Sequence, residues 1–271
     1  MAALRILITG ASSFTGCWFA RGLAAAGHDV TATFRQREYE GLRGERVRLV
    51  CDVARPLWET ALGDVTGDWD VICAHGAEAT EYRSPSFDAD AAVAENTRGL
   101  SELSAGRIVV TSSVFENGVQ TPYAESKRRT TEAFGAVGAA VFVIPNPFGP
   151  WEEPRFTTYL ARTWLAGDVA AVNTPDYVRD NIHVQALAAA YVRFVESDAA
   201  RAAPSQYRES QGAFAHRVAR ELGPLLGVEC RLELREQTSF DEPVELVNTD
   251  PVDGPEPWNE LAEWYRDYAA S

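Results

Sequence analysis

A phenol and an ammonium four residues apart, Tyr123 and Lys127, follow closely on the hydroxyl run Thr111-Ser112-Ser113. On a helix that spacing puts both groups on one face, one turn apart. A phenol, with a reference pKa of roughly 10, is a poor acid-base group near neutrality, and an ammonium one turn away favours its charged form. A serine hydroxyl across the gap would hold a substrate oxygen against the phenol while the phenol moves a proton, the companion step of a hydride transfer. Ser113 and Ser112 both suit that role, and the local spacing does not choose between them. Tyr-x-x-x-Lys is also common on ordinary amphipathic helices, so the stretch argues for redox chemistry only in company with a cofactor site.

The elements that must position these groups are legible around them. Ile108-Val109-Val110 reads as a strand feeding the hydroxyl run, and a helix begins near Tyr123. At the other end of the half-chain, Leu4 to Ile8 is a short apolar run fit for a strand buried on both faces. Thr9-Gly10-Ala11-Ser12-Ser13-Phe14-Thr15-Gly16 follows, and Cys17 to Gly27 reads as a helix. Strand, glycine turn and helix aim backbone N–H groups and a helix N-terminus at a pyrophosphate. Gly10 makes the tight turn and Gly16 lets helix lie close to strand. Val30 to Arg35 is a second strand, with Arg37 close behind. Phe34 holds the place where an acid would read the ribose of NAD, and Arg35 suits the 2′-phosphate of NADP.

Val47 to Val53 reads as a third strand, with Asp52 placed to accept from an adenine amino group. Asp70 to Ala77 gives a fourth, Val71-Ile72-Cys73-Ala74 opening into His75-Gly76-Ala77. The backbone of His75 and Gly76 is expected to line a cofactor groove, in preference to a general-base role for the imidazole. Ala91 to Leu103 reads as a helix carrying Asn96, and Val141 to Ile144 is a sixth strand. Strands alternating with helices imply an α/β, Rossmann-type, doubly wound parallel sheet.

After the proline-rich corner Pro145 to Trp151 the pattern is mixed. Thr157 to Gly167 looks helical, and Tyr177 to Val184 is expected to return to the sheet as a strand. Ala186 to Glu196, Phe214 to Leu222 and Trp258 to Tyr268 read as helices. Trp258, Leu261, Trp264 and Tyr265 sit at helical spacing, as core residues do. This divides the chain into a dinucleotide-binding domain, residues 1–150 plus 179–200, and a smaller C-terminal substrate-binding lobe, residues 151–178 plus 201–271.

The 271 residues carry a formal net charge of -14, which argues against a nucleic-acid or anionic-membrane partner. An anionic ligand must then be met by local arginines and lysines. The four cysteines, Cys17, Cys51, Cys73 and Cys230, lack metal-ligand spacing, and Cys51 and Cys73 fall in apolar runs that suit buried free thiols. The apolar opening is too short for a signal or membrane segment, so a soluble cytoplasmic protein without a metal is expected.

Taken in order, these pieces resemble the extended short-chain dehydrogenase/reductase family, in its nucleotide-sugar epimerase, dehydratase and reductase branch. The matching segments are Thr9-Gly10 to Gly16, Asp52-Val53, Ala74-His75-Gly76, Asn96, Ser112-Ser113, Tyr123 with Lys127, Asn146 to Pro150, and Arg179 to Val184. The resemblance implies that Tyr123 is the acid-base residue, that Lys127 holds the nicotinamide ribose, and that Ser113, or its rival Ser112, bonds the reacting oxygen. It further implies that Asn146 touches substrate, that Arg179 meets the phosphates of a nucleotide-sugar, and that the protein is a homodimer. NADP is the cofactor favoured by Arg35, with NAD the alternative. Two departures stand out: Ser13 replaces the family's middle turn glycine, and the loop from Ser113 to Tyr123 is short. The dehydratases of the family carry an Asp-Glu pair after the catalytic hydroxyl, where this chain has Val114-Phe115 with only Glu116 nearby, so dehydration is the least favoured reaction. Reduction of a keto-sugar leads, a 4-epimerase is the rival, and a nucleotide-binding regulator without catalysis is the reading from outside enzymology.

Overall fold

The computed structural model describes residues 2–76, 84 and 86–270; the expected end of the fourth strand at Ala77 lies outside them. By contact density the chain forms two units, Met1–Ile144 with Ala188–Ala203, and Pro145–Leu187 with Pro204–Ser271. Residues 145–150 and 179–187, read from the sequence as part of the first domain, group with the second.

In the first unit the strands are β1 (Arg5–Ile8), β2 (Asp29–Phe34), β3 (Arg55–Trp58), β4 (Trp69–Ala74), β5 (Ala105–Ser113) and β6 (Ala140–Ile144). The helices lying wholly within it are α1 (Phe14–Ala25), α2 (Gly41–Cys51), α3 (Ala89–Thr97) and α4 (Pro122–Ala136), and most of the helix Val184–Val195 belongs to it as well. A two-residue strand, Arg201–Ala202, joins β6, and the sheet runs Arg201–Ala202, β6, β5, β4, β1, β2, β3, all parallel. This is the expected Rossmann-type sheet, with the reversal of strand order at β1 and β4. Its central strands are apolar because both faces are covered: Ile6, Leu7, Ile8, Val71, Ile72, Val109 and Val110 are all buried.

Two elements depart from the sequence reading. Val47 to Val53, expected as the third strand, belongs largely to α2, whose inner face is Arg46, Val47 and Val50, and Asp52 is its C-cap. The third strand comes later, at Arg55–Trp58, on the edge of the sheet, where Pro56 is tolerated. Residues Ala91 to Leu103 are not one helix, since Gly99 at φ +72° separates α3 from a short 3₁₀ turn at Leu100–Glu102.

In the second unit Val178–His183 is a strand, but it does not return to the large sheet. It pairs antiparallel with Tyr207–Ser210 and parallel with Asn146–Phe148 and Glu245–Leu246. Helices Phe156–Leu165, Gln211–Leu226 and Trp258–Ala270 enclose a core of Phe148, Leu160, Trp164, Phe214, Leu222, Leu261 and Tyr265. The aromatic positions of the last helix are thus core, as their spacing predicts. Within that core the carboxylate of Glu152 is fully buried and accepts from the Gly149 N–H and from the hydroxyls of Thr157, Thr158 and Tyr265. The four cysteines are unpaired, with Cys17 and Cys73 buried and Cys51 half-buried on α2.

Candidate functional site

A groove with about 650 Å³ of empty space, partly open to solvent, lies within the first unit at the C-terminal ends of β1, β2, β4 and β5. Open α/β sheets bind ligands there. Of the residues singled out from the sequence, Gly10, Ser12, Arg35, Ala74, His75, Gly76, Asn96 and Lys127 line it.

The glycine turn is built for close approach. Gly10 has φ +66°, and a Cβ there would lie 2.1 Å from the His75 carbonyl oxygen. At Gly16 a Cβ would lie 2.2 Å from the Gly10 carbonyl oxygen, so the helix can start against the turn only with glycine. Ser13 is the N-cap of α1, its Oγ accepting from the Gly16 N–H at 3.1 Å. Phe14, Thr15 and Gly16 are buried in the first turn of the helix and do not line the groove.

The hydroxyl run and the Tyr123–Lys127 pair are set by β5 and α4. Thr121 caps α4, accepting from Ala124 N–H, and Pro122 occupies its first turn, so the helix begins in time to place Tyr123 and Lys127 on one side. The Lys127 Nζ lies 5.6 Å from the Tyr123 ring centroid, and Phe87 and Phe115 contact that ring edge-on. The two serines separate by strand alternation. Ser112 is buried, donates to Glu116 and accepts from Thr131 Oγ1 at 2.9 Å. Ser113 shares a face with Thr111, a groove residue, and is half-exposed. Glu116 is committed to Ser112, Thr131 and Arg201. It is therefore engaged away from the role an acid would take in dehydration.

At the far end Arg35 lines the groove with its side chain 37% exposed and paired with Glu95 at 3.3 Å. Sequence reading missed its neighbours. Tyr39 accepts from the backbone N–H groups of Arg35 and Gln36, and the Arg43 guanidinium lies 5.3 Å from the Tyr39 ring. Arg43 donates to Ser12 Oγ at 3.2 Å, and buried Arg46 to the Ser12 carbonyl at 3.0 Å. The arginine run of α2 was the available signal, obscured by reading its second half as strand. Asp52 and Val53 are exposed outside the groove; Thr60, Ala61 and Leu62, after the true third strand, line it instead.

His75 is 6% exposed, and both ring nitrogens are engaged. Burial, aided by the Lys127 ammonium, pushes its imidazole down to about 3, so it is neutral near pH 7 and spoken for by hydroxyls. Thr130 Oγ1, one turn beyond Lys127, is buried in the groove lining with no hydrogen-bond partner among the described residues. Such an orphan fits a groove whose polar wall is completed by a ligand.

In the second unit, Asn146 is half-buried opposite Asn181 at the start of its strand. Arg179, expected to meet a phosphate, is buried in the strand Val178–His183. Its guanidinium donates to the carbonyls of Val178, Pro243 and Val244 and to Glu242 at 3.0 Å, and lies 4.2 Å from the Tyr177 ring. The neighbouring Asp180 carboxylate accepts from the N–H groups of Gln206 and Asn248. Among the described residues no His, Cys, Asp and Glu cluster is arranged to hold a metal ion, and no helix is long and apolar enough to cross a membrane.

No family model matches the chain, and no curated protein matches it in sequence. Solved structures do match in fold. The UDP-glucose-4-epimerase of Stenotrophomonas maltophila, with bound NAD and formylated UDP-arabinopyranose, aligns with a TM-score of 0.74 at 16% identity over 98% of this chain and 99% of that one. The Bordetella bronchiseptica enzyme WbmH, in complex with NAD+, aligns with a TM-score of 0.72 at 13% identity over 99% and 100%. The NAD-dependent NDP-hexosamine 5,6-dehydratase TunA, involved in tunicamycin biosynthesis, aligns with a TM-score of 0.71 at 19% identity over 97% of each. The chain has the fold of these enzymes, as the motif resemblance implied.

Proposed function

We propose that the protein is an NADP-dependent oxidoreductase that reduces a keto carbon of a nucleotide-linked sugar. The observation that carries this reading is the pairing of Tyr123 and Lys127 on one face of α4 with a strand–glycine turn–helix groove whose far end holds Arg35 and Arg43. A bound nicotinamide supplies or accepts the hydride. Gly10 and the α1 N-terminus would hold its pyrophosphate, Lys127 its ribose, and Arg35 with Arg43 and Tyr39 a 2′-phosphate. Tyr123 gives its phenolic proton to the substrate oxygen, and Ser113 donates a hydrogen bond to the same oxygen. Strand alternation favours Ser113 over Ser112, whose hydroxyl is committed to Glu116. Nucleotide-sugars as substrates, with Asn146 as a contact, draw support from the ligands of structures sharing this fold.

A 4-epimerase is the second reading, favoured by the NAD that the Stenotrophomonas epimerase holds. It would use the same Tyr123 and Lys127 and keep its cofactor between turnovers. Denaturing the purified protein and identifying any released nucleotide separates the two. No retained nucleotide, with NADPH bound more tightly than NADH in titration, is the result expected. Stoichiometric NAD would overturn the reductase and leave the epimerase.

A further inference from the structure

Ser13, which stands where the family's turn has its middle glycine, touches His75. His75 Nε2 lies 2.9 Å from Ser13 Oγ and 3.1 Å from Thr15 Oγ1, while Nδ1 lies 2.6 Å from Thr111 Oγ1. Its backbone closes a third link, the N–H donating to Thr9 Oγ1 at 2.9 Å and the carbonyl accepting from the same hydroxyl at 3.1 Å. One residue at the end of β4 thus holds the end of β1, the start of α1 and the hydroxyl strand β5. The ring edge rests on Phe19, 5.6 Å between centroids, which fixes its tilt.

We propose that His75 and Ser13 are a pair of positioning residues for the pyrophosphate turn, Ser13 acting as a strut in the place of a glycine. The inference rests on the reading of the groove as a dinucleotide site. A neutral imidazole has one donor and one acceptor nitrogen. In the arrangement proposed, the Ser13 hydroxyl accepts from the Gly16 N–H with one lone pair and gives its own proton to Nε2. Nδ1 then carries the ring proton and donates to Thr111. The serine side chain is turned toward the imidazole and the helix cap, so the groove floor stays open although the glycine is gone. Replacing Ser13 by glycine, which would restore the family pattern, removes the cap and takes a partner from Nε2. It therefore weakens dinucleotide binding.

The experiment combines titration with nitrogen NMR of the histidine rings, of which the chain has four. In Ser13→Gly, NADPH binding is expected to weaken roughly five- to tenfold, the loss of about one net hydrogen bond. Adenosine 2′-phosphate, which has no pyrophosphate, should bind the variant and the parent alike; a general loss of structure would weaken both ligands. In nucleotide-free protein the His75 signals should show the Nδ1–H tautomer, with the Nε2 resonance moving in Ser13→Gly. Thr111→Val gives a milder probe from the other side, expected to move Nδ1 and to combine non-additively with Ser13→Gly. Equal or tighter NADPH binding by Ser13→Gly overturns the proposal, as does an Nε2 resonance that does not move. If the parent protein binds no nicotinamide nucleotide, the dinucleotide reading fails and the positioning role with it, while the NMR arm still reports the His75–Ser13 contact separately.

Discussion

Two stretches that carry family-like motifs, the groove residues of β1, β2, β4 and β5 and the strand Val178–His183, end in opposite conditions. In the groove Arg35 keeps 37% of its side chain exposed, and Thr130 Oγ1 has no partner among the described residues. In Val178–His183, Arg179 keeps only 6%, Asp180 accepts from two backbone N–H groups, and Asn181 donates to Gln211. An arginine in a motif announces a charge, but only surplus hydrogen-bonding capacity makes that charge available to a ligand. The terminal nitrogens of Arg179 are spent on three carbonyls and on Glu242, where solvent or a phosphate would otherwise accept.

The comparison can be broken most sharply at Arg179. Arg179→Ala takes the buried guanidinium away from three backbone carbonyls and from half-buried Glu242 and should cost about 3–5 kcal/mol of stability, read as a lower denaturant midpoint. A variant of normal stability that loses affinity for nucleotide-sugar would return Arg179 to the ligand side. Next in size, Tyr123→Phe should lower turnover by roughly 10²- to 10³-fold, about 3–4 kcal/mol, with NADPH binding retained. Unchanged turnover would remove the enzyme reading in favour of a nucleotide-binding regulator. Arg35→Ala should weaken NADPH binding about tenfold, leave NADH binding alone, and move stability by no more than about 0.5 kcal/mol. Equal losses for both nucleotides would place Arg35 with the structural arginines.

A pH series probes both stretches at once. Burial holds His75 down to about 3 and His183 down to about 4. The unfolded chain takes up both protons near pH 6.5, where the native state does not. Stability from this source is full above about pH 6.5 and is lost as pH falls toward 4, then toward 3, by at most about 1.4 kcal/mol per pH unit for each histidine. His75→Gln should remove about half of that slope in unfolding measurements between about pH 4 and 6. The smallest effect expected is from Asp52→Ala, less than about 0.5 kcal/mol in stability with NADPH binding unchanged, because Asp52 is exposed and outside the groove.

What could be read in advance follows from how local each signal is. The glycine turn, β4, β5 and the Tyr123–Lys127 helix are marked by short apolar runs, special backbone at Gly10, and a cap at Thr121, all local physics. The third strand was misplaced because Val47, Leu49, Val50, Cys51 and Val53 form a short apolar run, which suits strand and buried helix equally. The arginines 43, 46 and 48 favour helix, and Pro56 disguised the real strand at the sheet edge. With that misreading went Asp52 and the missed Arg43. The fates of Arg179 and Ser112 were not legible, because Glu242 and Thr131 reach them from distant positions in the chain.

The two ends of the seven-stranded sheet have a consequence for behaviour at high concentration. Exposed, regular sheet edges recruit strands from other molecules and seed aggregates. One edge here is β3, whose second residue, Pro56, has no N–H to offer a newcomer, and the other is a strand of only two residues, Arg201–Ala202. Each is a poor template for another chain. With a net charge of -14 keeping copies apart, the native protein should stay dispersed where a flatter, longer edge would fibrillate.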